Sequence, residues 1–431
     1  MNWRFTLPLV LAAAMLLNAA EPDPVANLSV LNVAPGAEAE DSARTWQGIP
    51  GIERAPSGRL WAIWYSGGKS EGLPGNYCVV ATSGDDGKTW SKPVLLIKGP
   101  TSESSTFDAI PWLDPKGRLW FFYVQFARDS NGGTKAYGTF AVHTDSPNEA
   151  RPTWSKPSLV ASGGRIFGKP ILGASGEWLA PIYIDGKPAE KETGVLSSTD
   201  EGTSWQFRGG TSVPKELRNF SEHTLAQRKN GDLWMVIRTT AGLSESISTD
   251  GGRVWSDPIP FRDGPNTRAH VRRLKSGALL LVYHDLVERD KFQLGPKGKP
   301  TYPRANIAVW LSDDEGRTWP HKLLLDAREC SYPDATQAPD GRIYVAYDCW
   351  RYGCRAGVFR YDPAAGPGKE IALAVVREED IRAGEIVSPG SRLRQVVNRA
   401  TGYGNTIELK KTAEQKMREE VNKKIMKEDS K

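Results

Sequence analysis

The chain of 431 residues repeats one short turn-and-strand pattern six times. In each copy a glycine is followed two positions later by leucine, isoleucine or tryptophan, and then by a strand-like run of apolar residues. A glycine in this context predicts a hairpin turn with positive φ. The spacing of 46 to 64 residues between copies is typical of four-stranded propeller blades. The six repeated glycines are Gly58, Gly117, Gly176, Gly231, Gly277 and Gly341.

A second motif, Ser-x-Asp-x-Gly-x-x-Trp, runs in phase with the first. Serine and aspartate side chains hydrogen-bond nearby turn backbone, and the tryptophan folds back onto the blade. A degenerate fifth copy combines Thr144 and Asp145 with Trp154. The motif predicts a structural staple with no catalytic role. Together the two patterns predict an all-β, six-bladed β-propeller with four clear copies of the motif. These copies span 83–90, 198–205, 248–255 and 312–319.

Composition agrees with a turn-rich β protein and excludes several classes. The chain has 43 Gly, 30 Pro and 15 Trp against 5 Met, which disfavours a helix bundle. Its 56 basic and 51 acidic residues give a net charge of only +5, with no basic patch interleaved with aromatics, so we expect no nucleic-acid binding. No HExxH or CxxC spacing occurs, and we predict no metal and no cofactor.

The ends of the chain differ from the repeats. Residues 1–20 combine a weakly basic start, an apolar run and small residues before Glu21, which predicts a secretory signal peptide too short to span a bilayer. We therefore expect export to the periplasm or beyond, without stable membrane insertion, and a monomer. The predicted boundaries are a linker at 21–44, the propeller at 45–385, and a charged, partly helical or disordered tail at 386–431.

Four cysteines in an exported chain permit disulfides. Cys349 and Cys354 flank a four-residue segment, so a local bridge is one alternative. The other is that all four cysteines are buried small side chains. The sequence leaves both open.

The serine-aspartate motifs are Asp-boxes, and from about Thr45 to Arg382 the chain resembles the sialidase (neuraminidase) superfamily of six-bladed propellers. Four residues match the spacing of that family. Glu222 precedes one hairpin turn and Arg238 ends the next strand, Arg304 leads into the last Asp-box, and Tyr332 lies in the following blade. The resemblance implies an exo-acting glycosidase on terminal acidic sugars, with Tyr332 and Glu222 as a nucleophile pair and the two arginines binding the sugar carboxylate.

The chemistry explains these residue types. A sialic acid carries a carboxylate on its anomeric carbon, which would repel an anionic nucleophile in a pocket of low dielectric. A neutral tyrosine avoids the repulsion, and a nearby glutamate accepts its proton as it attacks. Paired N–H donors of arginine bind the carboxylate through an oxocarbenium-like transition state.

Two features depart from the family. Gly48 stands where the first arginine of the Arg-Ile-Pro motif is expected, and neither Arg44 nor Arg54 matches that position. The expected acid/base aspartate is also missing from the loop before the first Asp-box, where Glu71 is the carboxyl available. We predict Glu71 as the acid/base.

The segment around His270 offers replacement substrate contacts, because Arg268 and His270 fall on one face of an extended strand. Two other functions stay open. One is a polysaccharide lyase on uronic-acid glycans, with His270 or Tyr332 removing the C5 proton. The other is a propeller that binds carbohydrate without cleaving it.

Overall fold

The computed structural model of the protein describes residues 28–67, 71–128, 134–184, 192–286, 293–294, 300–351 and 369–402. The predicted signal peptide at 1–20 lies outside these residues, as does the part of the predicted tail beyond Gly402. Within the described ranges, no helix is long and apolar enough to cross a bilayer.

All six repeated glycines lie in tight turns, as the sequence predicts. Their φ angles fall between 81° and 101°, a region that a Cβ atom disfavours. In every copy the glycine N–H donates to the carbonyl three residues earlier, as Gly58 does to Ala55 at 2.9 Å. The repeat is therefore one hairpin geometry written six times.

The first two sheets use nine strands. The first sheet has the spatial order β1-β5-β4-β3-β2, and the second has the order β6-β7-β8-β9. The first sheet comprises β1 (Val30–Asn32), β2 (Gln47–Arg54), β3 (Leu60–Ser66), β4 (Tyr77–Ser83) and β5 (Leu95–Lys98). The second comprises β6 (Ser104–Leu113), β7 (Leu119–Arg128), β8 (Thr134–Thr144) and β9 (Ser158–Ser162).

The next two sheets follow the same up-and-down order. In the third sheet β10 and β11 both pair with β12, and the order continues through β13 to β14. The third sheet comprises β10 (Gly164–Ile166), β11 (Ile171–Leu172), β12 (Trp178–Ile184), β13 (Thr193–Ser198) and β14 (Gln206–Thr211). The fourth comprises β15 (His223–Gln227), β16 (Leu233–Thr239), β17 (Gly242–Ser248) and β18 (Ile259–Asp263).

The last sheet has seven strands in the order β19-β20-β23-β24-β25-β26-β27, and β21 and β22 form a separate ribbon. The short helix α1 follows β26 and ends at Gly384 with φ of 77°. The elements are β19 (His270–Arg273), β20 (Leu279–His284), β21 (Gln293–Leu294), β22 (Pro300–Thr301), β23 (Ala305–Ser312), β24 (His321–Gln337), β25 (Ile343–Cys349), β26 (Glu370–Val376), α1 (Glu378–Ala383) and β27 (Arg392–Arg399).

The ring closes between the first and last sheets, because β2 contacts both β6 and β24. The all-β, propeller-like arrangement is thus confirmed. The count of six separate sheets is not met: the described strands form five sheets of four to seven strands and one ribbon. The reason is the 17-residue strand β24, whose first half pairs with β23 and whose second half pairs with β25. Hydrogen bonding thus continues from one four-stranded unit into the next.

The serine-aspartate motifs share one local geometry. Ser248 Oγ donates to Asp250 Oδ1 at 2.8 Å and accepts from the N–H of Gly252 at 2.8 Å. Trp255 Nε1 donates back to the carbonyl of Gly252 at 3.0 Å. The same serine bonds occur in the other three copies. These turns staple their own hairpins, as the sequence predicts.

Tryptophans of the repeats fill the space between neighbouring sheets. Trp178 lies 4.7 Å from Trp112 and 5.5 Å from Trp120, ring centroid to centroid, and both pairs meet edge to face. Such pairs stabilise a core by about 0.5–1.5 kcal/mol beyond the area they bury. In the degenerate motif, Trp154 stacks on Phe121 at 5.1 Å.

Two expectations about the end of the chain need correction. Cys349 is bonded to Cys330, its partner across the β24–β25 ladder, while Cys354 lies outside the described residues and Cys78 is a buried free thiol. The β-structure also extends beyond residue 385, because β27 pairs with β26 inside the segment predicted as a tail.

Candidate active site

A cavity of about 540 Å³ opens where the inner strands of several sheets meet. Residues of β2, β6 and β24 line it, together with the residue just ahead of β15. Five of the seven residues predicted as catalytic or substrate-binding contribute to the lining. They are Glu71, Glu222, Arg238, Arg304 and Tyr332.

Backbone irregularities aim three residues at the cavity. Ile49, Asp108 and Tyr332 have φ angles of 55°, 51° and 51°, a left-handed conformation that non-glycine residues rarely adopt. Each lies at an irregularity in the pairing of its strand. Conformations of this kind cost about 1–3 kcal/mol each and cluster at functional sites. An extra residue in a strand changes the direction of the side chain at that position. In all three strands the residue at the irregularity lines the cavity.

Glu222, Arg238 and Tyr332 form the polar centre of the cavity. Arg238 Nη1 donates to Glu222 Oε1 at 2.6 Å and to the Tyr332 hydroxyl oxygen at 3.0 Å. Burial alone would lower the pKa of Arg238, but Glu222 and Tyr332 outweigh it and the pKa lies above its usual value. The carboxylate and the phenol thus lie against the same cationic nitrogen. The other oxygen of Glu222 has no hydrogen-bond partner among the described residues.

Further guanidinium groups surround the Tyr332 ring. Their Cζ atoms lie 4.6 Å (Arg351), 5.2 Å (Arg304) and 5.5 Å (Arg268) from the ring centroid. Arginine over an aromatic face is held by the ring quadrupole. Concentrated positive charge around one phenol favours an anionic ligand.

Asn266 positions two arginines of the cavity, Arg238 and Arg304. Its Oδ1 accepts a hydrogen bond from Arg238 Nε at 2.6 Å, and its backbone carbonyl accepts one from Arg304 Nη2 at 2.7 Å. Fixing both guanidinium groups before a ligand arrives reduces the entropy lost on binding.

Asp108 is a buried carboxyl group that the sequence did not single out. It lines the cavity, and its Oδ1 has no hydrogen-bond partner among the described residues. Burial, reinforced by the charges of Glu222 and Glu71, raises the pKa of Asp108 to about 7. Below that pH it is a neutral group able to donate a hydrogen bond into the cavity.

Glu71 lies nearer the mouth of the cavity. Its side chain is 30% exposed, and its Oε1 accepts a hydrogen bond from the Tyr65 hydroxyl at 2.7 Å. Arg351 Nη1 lies 3.4 Å from both carboxylate oxygens. The residue predicted as acid/base is therefore partly open to solvent.

Arg268 and His270, the predicted replacement contacts, do not line the cavity. Arg268 is buried behind the Tyr332 ring. His270 Nδ1 lies 3.1 Å from Asp334 Oδ1, and Lys169 Nζ lies 3.0 Å from the other Asp334 oxygen. Burial lowers the pKa of His270. Strand alternation predicts Arg268 and His270 on one face, but Arg268 lies ahead of β19 and packs over the Tyr332 ring, whereas His270 belongs to a buried ion-pair network.

Neither Arg44 nor Arg54 reaches the cavity. Arg44 is buried, and its guanidinium donates to Gln47 Oε1 at 2.6 Å and to Asp41 Oδ1 at 2.5 Å. The arginine near Gly48 is instead Arg351, which follows β25.

Sequence reasoning missed three charged residues of the cavity lining, Asp108, Arg165 and Arg351. Asp108 carries one signal in the sequence, an acidic residue in an otherwise apolar strand-like run, Phe107 to Trp112. The two arginines carry none, because only the packing of segments distant in sequence brings them to the cavity.

Several known proteins are similar to this chain in sequence or in fold. The chain is 24% identical over 371 residues to the sialidase of Micromonospora viridifaciens, covering 76% of this chain and 55% of that protein. It is 25% identical over 218 residues to the anhydrosialidase of Macrobdella decora, covering 46% and 27%. The chain thus spans about half or less of the length of these curated relatives.

Among solved structures, a leech intramolecular trans-sialidase complexed with 2,7-anhydro-Neu5Ac superposes with a TM-score of 0.61. The identity is 15%, and the match covers 82% of this chain and 70% of that one, so it shows a shared fold. Fold and relatives together define a sialidase-like β-propeller. More specifically, the chain belongs to the BNR repeat-like domain family, whose sequence profile matches residues 58–345, more than half of its length.

Proposed function

We propose that the protein is an exported, exo-acting glycoside hydrolase of sialidase type that removes terminal acidic sugars from glycans. The observation that carries the proposal is the shared contact of Glu222 and Tyr332 with Arg238 Nη1, inside a cavity lined by four arginines. Sialidase relatives of low identity support the same class.

The first step forms a covalent intermediate. The Tyr332 oxygen attacks the anomeric carbon as the bond from that carbon to the leaving oxygen breaks. The phenol proton passes to Glu222, and Glu71 gives its proton to the leaving oxygen.

The second step releases the sugar. Glu71, now ionised, takes a proton from a water molecule, and the resulting nucleophile attacks the anomeric carbon. The bond to Tyr332 breaks, and the phenolate regains its proton from Glu222. Both carboxyl groups return to their starting states, and the net reaction adds one water across the glycosidic bond.

The position of Glu71 favours it over Asp108 as the acid. In an exo-acting pocket the sugar lies inside and the leaving group lies towards the mouth. Glu71 is 30% exposed, whereas Asp108 is 8% exposed and lies among buried groups. We assign Asp108 to hydrogen bonding of the bound sugar and Glu71 to proton transfer.

Arg238 and Arg304 account for the preference for an acidic sugar. Both guanidinium groups are hydrogen-bonded to Asn266 and lie next to Tyr332, whose hydroxyl oxygen attacks the anomeric carbon in the proposed mechanism. A carboxylate on that carbon would receive charge-assisted hydrogen bonds. An anionic nucleophile at the same place would be repelled, which favours the neutral phenol.

A panel of fluorogenic glycosides tests the function. The mature protein is incubated with 4-methylumbelliferyl α-glycosides of N-acetylneuraminic acid and its deaminated analogue, and with β-glucuronide and β-galactoside controls. We expect release of 4-methylumbelliferone from an acidic nonulosonic glycoside and none from the galactoside. Absence of release from every acidic glycoside, with binding retained, would instead indicate a carbohydrate-binding propeller.

Leaving-group dependence tests the two carboxyl groups. For Glu71→Gln we expect kcat/KM to fall about a hundredfold or more on an alkyl glycoside but much less on the 4-methylumbelliferyl glycoside, whose leaving group needs little protonation. Asp108→Asn is the matched control, with similar losses on both substrates. The reverse pattern would transfer the acid role to Asp108.

The lyase alternative has weaker support, because His270 is held by Asp334 away from the cavity. A lyase acting through Tyr332 would yield an unsaturated uronate that absorbs in the ultraviolet. Its appearance from a uronic-acid polysaccharide would contradict hydrolysis.

For the architecture, we propose six blades and four Asp-boxes. The support is that each half of the seven-stranded sheet has its own repeated turn, at Gly277 and at Gly341. Strand β24 would then be shared by the fifth and sixth blades.

A further inference from the structure

The side chain of Arg351 occupies the space next to Gly48 where a side chain at position 48 would lie. A Cβ atom on Gly48 would lie 2.2 Å from Arg351 Cδ and 2.8 Å from Arg351 Cγ, far inside van der Waals contact. No positive φ at Gly48 calls for glycine. The close approach of Arg351 is therefore what excludes a side chain at this position.

Arg351 carries its charge into the cavity. It follows β25, is 4% exposed and lines the cavity with Arg238 and Arg304. Its Cζ lies 4.6 Å from the Tyr332 ring centroid, nearer than Arg304 at 5.2 Å. Three arginines of the lining thus converge on one tyrosine, from three separate positions in the chain.

Carboxylates help to hold Arg351 in place. Asp348 Oδ2 lies 3.8 Å from Arg351 Nε, and the same oxygen accepts the N–H of Ile49 at 2.8 Å. Ser331 Oγ donates to the other Asp348 oxygen at 2.7 Å. Asp348 therefore links the strand of Gly48, the strand of Tyr332 and Arg351. The contacts of Arg351 with Glu71, at 3.4 Å, are longer than a charge-assisted hydrogen bond of about 2.7–2.9 Å.

We propose that Arg351 is a substrate-binding residue that contacts the carboxylate of the acidic sugar, and that Gly48 exists to admit it. The inference rests on the proposed function and deepens it. Arg238, Arg304 and Arg351 then form a three-arginine clamp, the third member coming from the last sheet. Position 48, on the first sheet, contributes space and no charge.

The test measures recognition of the carboxylate itself. Binding of the 2,3-didehydro-2-deoxy derivative of N-acetylneuraminic acid and of its methyl ester is measured by calorimetry on the full-length mature protein. Wild type is expected to prefer the free acid to the ester by about a hundredfold, the range for a buried charge pair. Arg351→Ala is expected to reduce that preference to tenfold or less, mainly through weaker binding of the acid.

Arg328→Ala is the matched control. Arg328 also stacks on an aromatic ring, Trp350 at 4.7 Å, and pairs with Asp326 at 2.7 Å, but it does not line the cavity. The acid preference should survive this change. Gly48→Ala is the second test variant, because its methyl group displaces Arg351 without removing it, and it should reproduce the Arg351→Ala loss.

The outcomes separate the two proposals. If wild type prefers the acid and both Arg351→Ala and Gly48→Ala retain that preference, the role of Arg351 is overturned while the proposed function stands. If wild type neither binds the acid nor cleaves acidic glycosides, both are overturned. Arg351→Lys distinguishes charge from geometry: partial recovery of the preference supports a direct contact with the carboxylate.

Discussion

The serine-aspartate turns and the cavity are built on opposite principles. At the turns, one serine-aspartate-glycine hydrogen-bond set recurs in four places with the same 2.8–2.9 Å distances. In the cavity nothing recurs: each inner strand contributes a different residue, and three of them have left-handed backbone. The regular part maintains the ring, and the irregular part holds the residues that we propose as catalytic.

Their carboxyl groups show the difference most clearly. Hydrogen bonds from Thr89 and Ser83 lower the pKa of Asp85 to about 2, although the side chain is solvent-exposed. Burial raises the pKa of Asp108 to about 7. The turn carboxylates accept hydrogen bonds from residues close to them in sequence. In the cavity, one oxygen of Asp108 and one of Glu222 have no hydrogen-bond partner among the described residues. Buried carboxyl oxygens without a hydrogen-bond partner among the described residues, on Asp108 and Glu222, therefore mark the cavity.

The largest expected effect is at Tyr332. Tyr332→Phe should lower kcat by about a thousandfold or more, since the nucleophilic oxygen is gone, while the phenyl ring still packs beneath the arginines. Steady-state turnover and the thermal midpoint are measured together. Turnover within tenfold of wild type would remove Tyr332 from the mechanism.

A smaller effect is expected from Asp108 on the pH dependence of stability. An aspartate with a raised pKa binds its proton more tightly in the folded state, so it makes stability fall as pH rises from about 4 to about 7. Asp108→Asn removes that fall. In urea unfolding, the free energy of unfolding of the variant minus that of wild type should increase with pH up to about 7 and stay constant above it.

A difference between variant and wild type that grows as pH decreases would contradict the raised pKa. Comparison with wild type at each pH matters, because burial also raises the pKa of Glu329 to about 7.

The smallest effect is expected at the Asp-boxes. Ser248→Ala removes the oxygen that bonds Asp250 and the N–H of Gly252, and should destabilise the protein by about 1–2 kcal/mol. Turnover should stay at the wild-type value, because the motif is remote from the chemistry. A loss of activity without a loss of stability would contradict the purely structural role of the serine-aspartate motif.

The turns could be predicted from the sequence more fully than the cavity could. The glycine turns and serine-aspartate motifs depend on bonds between residues within four positions, so their geometry is visible in the sequence. Five predicted site residues line one cavity: four were predicted from their match to the spacing of the sialidase family, and Glu71 as the carboxyl group available in one loop. Their roles stay predictions.

The rest depends on contacts between distant segments. Arg351 reaches the cavity only where the last sheet meets the first, at Gly48. His270 was predicted from strand alternation, which gives the face of a strand but not what covers that face. Cys349 pairs with Cys330 across a hairpin, a pairing that the sequence spacing, with Cys354 nearer in the chain, did not indicate.

The most direct test of the account is to trap the covalent intermediate. A 2,3-difluoro derivative of the acidic sugar that is turned over slows release, because fluorine destabilises the oxocarbenium-like transition state, and intact and peptide mass spectrometry then locate the adduct. The proposed mechanism predicts one sugar per protein, attached to Tyr332. An adduct on Glu222 or Asp108, or turnover of the parent substrate with no adduct at all, would contradict it.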